Sequence, residues 1–371
     1  MNPLLNLPRV QFDFGAVAVL REELAGLDIS TPLFITDRGV VDCGVFEQVR
    51  RIMNSGERLA LVDDIPPNPT LDGVNRSVDA YRAARCDGIV AVGGGSVIDS
   101  AKAVALLATH AGRLSGYHGH PERITRACAP IIAIPTTAGT GSEATRGAGI
   151  HPDANSRTAG VNSQHLVPRV AICDPELTVS LPPALTAGTG MDALTHCVEG
   201  YLAPAVNPVV DAIALDGIRR VVAWIERAVA DGRDREARWH MMMAALEGGI
   251  GISKGLGPAH ALGNTFGDRG LHHGALVTLA LPATIRFLAP HVGDRMAPLA
   301  DALGAPGGDA ADAVAALTRR VGLPATLKKL GYGQADLEEA AGDAARSFFN
   351  ARCARPPTLA EYRAMIDEIA G

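Results

Sequence analysis

Asp192 and His196 stand in Gly190-Met191-Asp192-Ala193-Leu194-Thr195-His196. In a helix, that i, i+4 spacing sets a carboxylate oxygen and an imidazole nitrogen on one face. Further imidazoles follow in Gly255-Leu256-Gly257-Pro258-Ala259-His260 and in Leu271-His272-His273-Gly274. One carboxylate with three imidazoles is a donor set for a divalent transition metal, with a position left open for a substrate oxygen. Spacing alone does not bring such distant clusters together, and each histidine taken singly reads as an ordinary core or surface residue. His110, His118, His120, His151, His165, His240 and His291 have no such context and are read as structural or solvated.

A second chemistry belongs to glycines. Gly93-Gly94-Gly95-Ser96-Val97-Ile98-Asp99-Ser100-Ala101-Lys102 follows an apolar run and opens a helix. Glycines let a backbone approach a diphosphate, and the helix start offers free N–H groups and a positive dipole end. The segment is neither G-x-G-x-x-G nor the Walker pattern, so an ordinary Rossmann or P-loop protein fits poorly. A tight strand-to-helix turn without ligand is the competing reading. Pro135-Thr136-Thr137-Ala138-Gly139-Thr140-Gly141-Ser142-Glu143 also follows an apolar strand, and two such loops mark the place where open α/β sheets bind ligands. Asp37, after the first strand of this half, has two readings of equal weight. It accepts from a ribose 2′-OH and repels a 2′-phosphate, or it caps the next helix.

The elements that must position these groups fall into two halves. Strands are expected at 32–36, 58–62, 88–92, 131–134 and 170–173, alternating with helices over 40–53, 71–85 and 97–110. Such alternation predicts a largely parallel sheet with helices on both faces. Beyond Leu181-Pro182-Pro183 only amphipathic segments appear, over 185–201, 209–230, 234–250, 275–288, 310–321 and 337–348; Ala302–Ala311 reads as a Gly-rich loop. The expected organisation is an α/β dinucleotide-binding domain over 1–180 and an all-helical metal-binding domain over 181–371.

Composition narrows the class. The 371 residues carry 34 Lys plus Arg against 40 Asp plus Glu, a net charge of −6, and no basic run suited to nucleic acid. No stretch reaches ~18 uninterrupted apolar residues, and the start lacks a basic segment followed by an apolar one, so neither a membrane span nor a secretory signal is expected. Six scattered cysteines without a C-x-x-C pair read as reduced thiols of a cytoplasmic protein.

GGGSVIDSAK (93–102), PTTAGTGSE (135–143), GMDALTH (190–196), GLGPAH (255–260) and HHG (272–274) resemble, in order and spacing, the iron-containing (group III) alcohol dehydrogenase family. FDFGAVAVL near the start and CDPELTVSLPP at 173–183 extend the resemblance over essentially the whole chain. TDRGVV, AVGGGS, ICDPELT and GLHHG look closest to its 4-hydroxybutyrate dehydrogenase branch. The resemblance implies a dehydroquinate synthase-like/iron-containing alcohol dehydrogenase fold. It implies NAD rather than NADP on Asp37, Asn68, Gly94, Gly95, Ser96, Asp99, Thr136, Thr137 and Thr140. It also implies a metal, Fe(II) or else Zn(II) or Mn(II), on Asp192, His196, His260 and His273. His273 is taken over His272 because the family ligand directly precedes glycine. The implied reaction moves a hydride between NAD(H) and a short alcohol or aldehyde with an anionic tail, of the 4-hydroxybutyrate/succinic semialdehyde type. A phosphonoacetaldehyde or sulfoacetaldehyde reductase is the alternative. The expected partners are that small molecule and a second copy of the chain, as a dimer.

Three features depart from the family pattern. A second histidine one turn after His260 is Asn264 here, which cannot shuttle a proton but can bond a substrate oxygen; recognition of an acidic tail and mere space filling are both open. The loop leading to His273 looks shortened, and a lysine often found near the cofactor is replaced by Thr158, between Arg157 and Ala159. Arg146 either pairs with the substrate's far end or is solvated or on the cofactor. A dehydroquinate synthase-like lyase is the rival enzyme class, though its metal site is built on a glutamate and two histidines. A pseudoenzyme that binds nucleotide without catalysis is the other rival.

Overall fold

The bare apolar runs of the first half become a parallel sheet in a computed structural model that describes residues 5–54, 59–153, 159–267 and 273–371. Its strands are β1 (Arg9–Phe12), β2 (Pro32–Ile35), β3 (Ala60–Val62), β4 (Gly88–Gly93), β5 (Ile131–Pro135) and, after a separate two-stranded antiparallel pair β6 (Gly147–Ile150) and β7 (Ala159–Asn162), β8 (Val170–Cys173). The six-stranded order is β1-β8-β5-β4-β2-β3, and every pairing is parallel, with Ile89 opposite Ile131 and Leu33 opposite Ile89.

The two-residue period of a strand divides its side chains between two cores. Leu33, Ile35, Ile89, Ala91, Ile131 and Ala133 face one way, against α4 (Leu71–Ala83) and α5 (Gly95–Thr109). Phe34, Val90, Val92, Ile132 and Ile134 face the other, among residues of α1 (Leu20–Gly26), α2 (Arg38–Asp42) and α3 (Val45–Arg50). Burial on both faces is why the sequence shows continuous apolar runs there rather than alternation. These elements form one compact unit, Met1–Thr137 with Ser142–Ser180.

The other unit, Ala138–Gly141 with Leu181–Gly371, is helical. Its helices are α6 (Pro183–Leu202), α7 (Pro208–Ala230), α8 (Arg235–Gly251), α9 (Pro258–Gly267), α10 (His273–Leu288), α11 (Met296–Ala302), α12 (Ala310–Arg320), α13 (Gln334–Ala345) and α14 (Leu359–Ala370). A single apolar core runs through them, with Met191, Leu194, Val198, Ile218, Ile225, Leu262, Leu281 and Ile366 fully or almost fully buried. No described helix is long and apolar enough to cross a membrane. The six cysteines form no disulfide.

Some expectations are corrected. The helix over 40–53 is two helices, because Gly44 adopts φ +82° between them. The helix expected at 97 begins two residues earlier, at Gly95, and the one over 337–348 ends at Ala345 before a 3₁₀ turn, Phe348–Arg352. The edge strand β1, helix α1, the β6–β7 pair, α9, α11 and α14 are additions. Arg157, Thr158 and His272 lie outside the described residues, as does most of the loop before His273.

Candidate metal centre and nucleotide loops

Helix α6 carries Asp192 and His196 one turn apart, α9 carries His260, and α10 begins at His273. The Nε2 atoms of His196, His260 and His273 each lie 3.9 Å from Asp192 Oδ1. Asp192, His260 and His273 offer one ligand atom each, all within 4.8 Å of one another. His196 completes the set from the side, its ring stacked on that of His260 at 4.7 Å.

Local sequence explains the convergence. A Cβ at Gly274 would collide with the carbonyl oxygen of Gly188 and come within 3.0 Å of Asp192 Cβ. Glycine after His273 is therefore what allows the start of α10 to close on α6. In α8, Gly248 gives the same clearance, its absent Cβ lying 3.1 Å from His196 Cβ.

The residues fit a divalent metal. Asp192 Oδ1 and His260 Nε2 are buried, and neither has a hydrogen-bond partner among the described residues. Buried polar atoms are costly when unpaired, and one cation satisfies both. Bonds of about 2.1 Å at tetrahedral angles separate ligand atoms by about 3.4 Å, so a modest inward movement completes the site. Burial pushes His196 well below the usual imidazole range, the adjacent His260 adding to the effect, which keeps the ring neutral as a ligand must be.

The sequence reading passed over Glu199. It lies on the same stripe of α6, seven residues after Asp192 and three after His196, a spacing visible in the sequence. Its Oε2 accepts from His260 Nδ1 at 2.5 Å, and its Oε1 accepts from the Ala259 N–H at 2.8 Å. Phe349, in the 3₁₀ turn, lies against the His260 ring at 5.8 Å, and the exposed Phe348 packs on it in turn, the two rings tilted by 36°. Asn264 sits half-buried on the His260 face of α9, one turn further on.

The glycine loop is a different kind of site. Gly94 ends β4's turn and caps α5 with no side chain, leaving the first-turn N–H groups available to an anion. A Cβ on Gly94 would press on Thr137 at 3.3 Å, and Thr136 N–H bonds Gly93 O at 3.1 Å, so Gly94, Gly95, Thr136 and Thr137 are brought together. Ser96 donates to the Pro67 carbonyl, beside the exposed Asn68. Asp99 does not present a free carboxylate: it accepts from Ser142 and from the Gly149 N–H at 2.8 Å, with Lys102 at 3.6 Å. Asp37 caps α2, accepting from Val40 N–H at 3.0 Å, and burial raises its pKa above the ordinary carboxylate value. Thr140 belongs to the stretch packed in the helical unit, where Gly139 adjoins Thr189 and Gly141 adjoins Gly249. Arg146 is half-buried just before β6.

Beneath the loop, fully buried Lys102 donates to Ser142 Oγ, Thr145 Oγ1 and Gly147 O. Glu143, also fully buried, is pushed up to about 7 by burial, against backbone bonding and Lys102, which act the other way.

Residues 8–175 match the family model for iron-containing alcohol dehydrogenase, and residues 186–368 match the C-terminal model of the Fe-containing alcohol dehydrogenase family. The 4-hydroxybutyrate dehydrogenase of Cupriavidus necator is 45% identical over 98% of both chains. A solved 1,3-propanediol oxidoreductase superposes with a TM-score of 0.95 at 32% identity, covering 100% of each chain. The sulfoacetaldehyde reductase of Bifidobacterium kashiwanohense, solved in complex with NAD+, gives 0.91 at 27% identity over 100% of this chain and 99% of that one.

Proposed function

Since the chain belongs to the iron-containing alcohol dehydrogenase family and is an oxidoreductase of that kind, we propose that it interconverts a short ω-hydroxy acid and its aldehyde with NAD(H). The substrate is of the 4-hydroxybutyrate/succinic semialdehyde type. The carrying observation is the convergence of Asp192, His260 and His273, with His196 beside them, around two buried atoms that have no partner among the described residues.

Asp192, His196, His260 and His273 would hold the metal, Fe(II) or alternatively Zn(II) or Mn(II). Such an ion supplies Lewis-acid polarisation of the substrate's oxygen, which eases loss of the hydroxyl proton and of hydride from the adjacent carbon. NAD, held by residues of the 1–180 half, supplies the hydride acceptor. Gly94 and Gly95 bring backbone to the diphosphate, with Thr136, Thr137 and Thr140 offering hydroxyls and Ser96 and Asn68 at the rim. Asp99 acts behind the loop rather than on the cofactor, since its oxygens are engaged by Ser142 and Gly149. Asp37 keeps its cap and turns like charge against a 2′-phosphate. In the 181–371 half Phe349 gives the substrate chain an apolar wall. Asn264 offers an amide N–H to an oxygen-rich tail, in place of a titrating group.

The 45% identity to a 4-hydroxybutyrate dehydrogenase favours the carboxylate tail. Likeness to a sulfoacetaldehyde reductase keeps a sulfonate or phosphonate as the second reading. The reading includes a cytoplasmic location, which cell fractionation tests, and a homodimer, which light scattering tests. Metal-reconstituted protein assayed with NAD should show kcat/KM for 4-hydroxybutyrate at least about tenfold above that for 1-butanol, the arithmetic of one good polar contact. Equal or reversed preference would overturn the acidic-tail assignment, and activity surviving exhaustive chelation would overturn the metal.

A further inference from the structure

We propose that Glu199 is a positioning residue for metal capture: it fixes His260 in the tautomer whose bare Nε2 faces Asp192. The inference rests on the metal reading above and goes one shell further into the protein.

The side chains of Glu199 and His260 are 1% and 3% exposed, so their contact is made away from water. A carboxylate can only accept, so the proton in the 2.5 Å bond sits on His260 Nδ1. Neutral imidazole carries one ring proton; Nε2 is then a lone pair. That lone pair is buried, lacks a hydrogen-bond partner among the described residues, and lies 3.9 Å from Asp192 Oδ1, which lacks one too. Two acceptors facing each other with no proton between them call for a cation. Without Glu199 the opposite tautomer would point Nε2–H toward Asp192 and remove the lone pair that a metal needs.

Glu199 is itself held in place. Helix α9 opens with Pro258, which has no N–H, and the first donor after it, Ala259 N–H, goes to Glu199 Oε1 at 2.8 Å. A Cβ on Gly257 would come within 3.0 Å of that same oxygen. Glycine at 257 and proline at 258 thus leave room for one carboxylate at the helix start. Its charge suits the helix dipole there, while its second oxygen turns the ring. Asp192, His196 and Glu199 form one functional stripe on α6: two groups toward the metal and one toward the ligand on the next helix.

A mere helix cap would predict something else, and Glu199→Gln separates the two. The amide oxygen can still accept from Ala259, but the NH₂ then meets His260 Nδ1 and forces its proton to Nε2. We expect Zn(II) affinity, measured by competition with a chromogenic chelator, to weaken about 10–100-fold. The apo-protein Tm should stay within a few degrees of wild type. Unchanged Zn(II) affinity in a folded Glu199→Gln protein would overturn the proposal. Should that variant fail to fold, ¹⁵N shifts of His260 in the wild-type apo-protein decide: protonated Nδ1 with bare Nε2 supports it, and protonated Nε2 overturns it. Wild-type protein that binds no divalent metal would instead bring down the metal reading, whatever the tautomer.

Discussion

The helical centre and the glycine loop present their chemistry in opposite ways. At the centre, side chains from α6 and α9 are held in place with ligand atoms left over: Asp192 Oδ1 and His260 Nε2 are buried and have no hydrogen-bond partner among the described residues. At the loop nearly every side chain is already engaged. Ser96 bonds Pro67, Asp99 bonds Ser142 and Gly149, Asp37 caps α2, and what is offered is backbone at Gly94 and Gly95. A metal needs specific donor atoms, so its site shows as an excess of them. A diphosphate needs close approach and N–H groups, so its site shows as missing side chains.

The sharpest way to break this contrast is to remove a donor. His260→Ala should abolish bound metal and cut turnover by about 10³-fold or more, while far-UV circular dichroism and NAD binding stay near wild type. Full metal stoichiometry in that variant would take His260 out of the ligand set. Adding atoms should injure the other site. Gly94→Val, whose branches would press on Thr137, should weaken NAD binding by about 10–100-fold and leave metal content unchanged. Loss of metal in Gly94→Val would mean that the two sites are not independent.

A smaller effect is expected at Asp37, where a cap and a selectivity role share one carboxylate. Asp37→Gly should narrow the NAD over NADP preference by roughly tenfold and cost only a few tenths of a kcal/mol in stability, since glycine is itself a tolerable N-cap. A wild type that uses NADP as readily as NAD would remove the selectivity role and leave the cap.

Smallest in function, and visible only in stability, is Glu143. Its folded value is about 7 against an ordinary 4.5, chiefly through burial. Below 4.5 both folded and unfolded chains hold the proton. Between 4.5 and about 7 only the folded chain does, so rising pH withdraws stability, and above about 7 the loss is complete. Chemical denaturation of wild type should therefore lose on the order of 2 kcal/mol more than Glu143→Gln between pH 5 and pH 8. Parallel curves for the two proteins would show that Lys102 compensates the charge.

How much of this was legible follows from the same contrast. Strands β2, β4, β5 and β8 were readable because double-sided burial forces continuous apolar runs. Strand β1 and the Gly-rich β6–β7 pair were not, since their pairing comes from neighbours rather than from composition. Gly44 looked like any residue inside a helical pattern, and its left-handed φ is what splits it. The Asp192–His196 pair was visible as helical spacing, and Glu199 was equally visible three residues on but carried no recognised motif. The meeting of His260 and His273 with that pair was not in the spacing at all. It depends on Gly274, whose missing Cβ lets the start of α10 close on the backbone of α6 at residue 188, a fact of packing.

Anomalous diffraction at the absorption edge of the loaded metal, on crystals of the reconstituted protein, locates the ion among these four side chains. We predict one strong peak about 2.0–2.2 Å from Asp192 Oδ1 and from the Nε2 atoms of His196, His260 and His273. A fully loaded, active enzyme with its peak anywhere else would show that these residues are not the metal ligands.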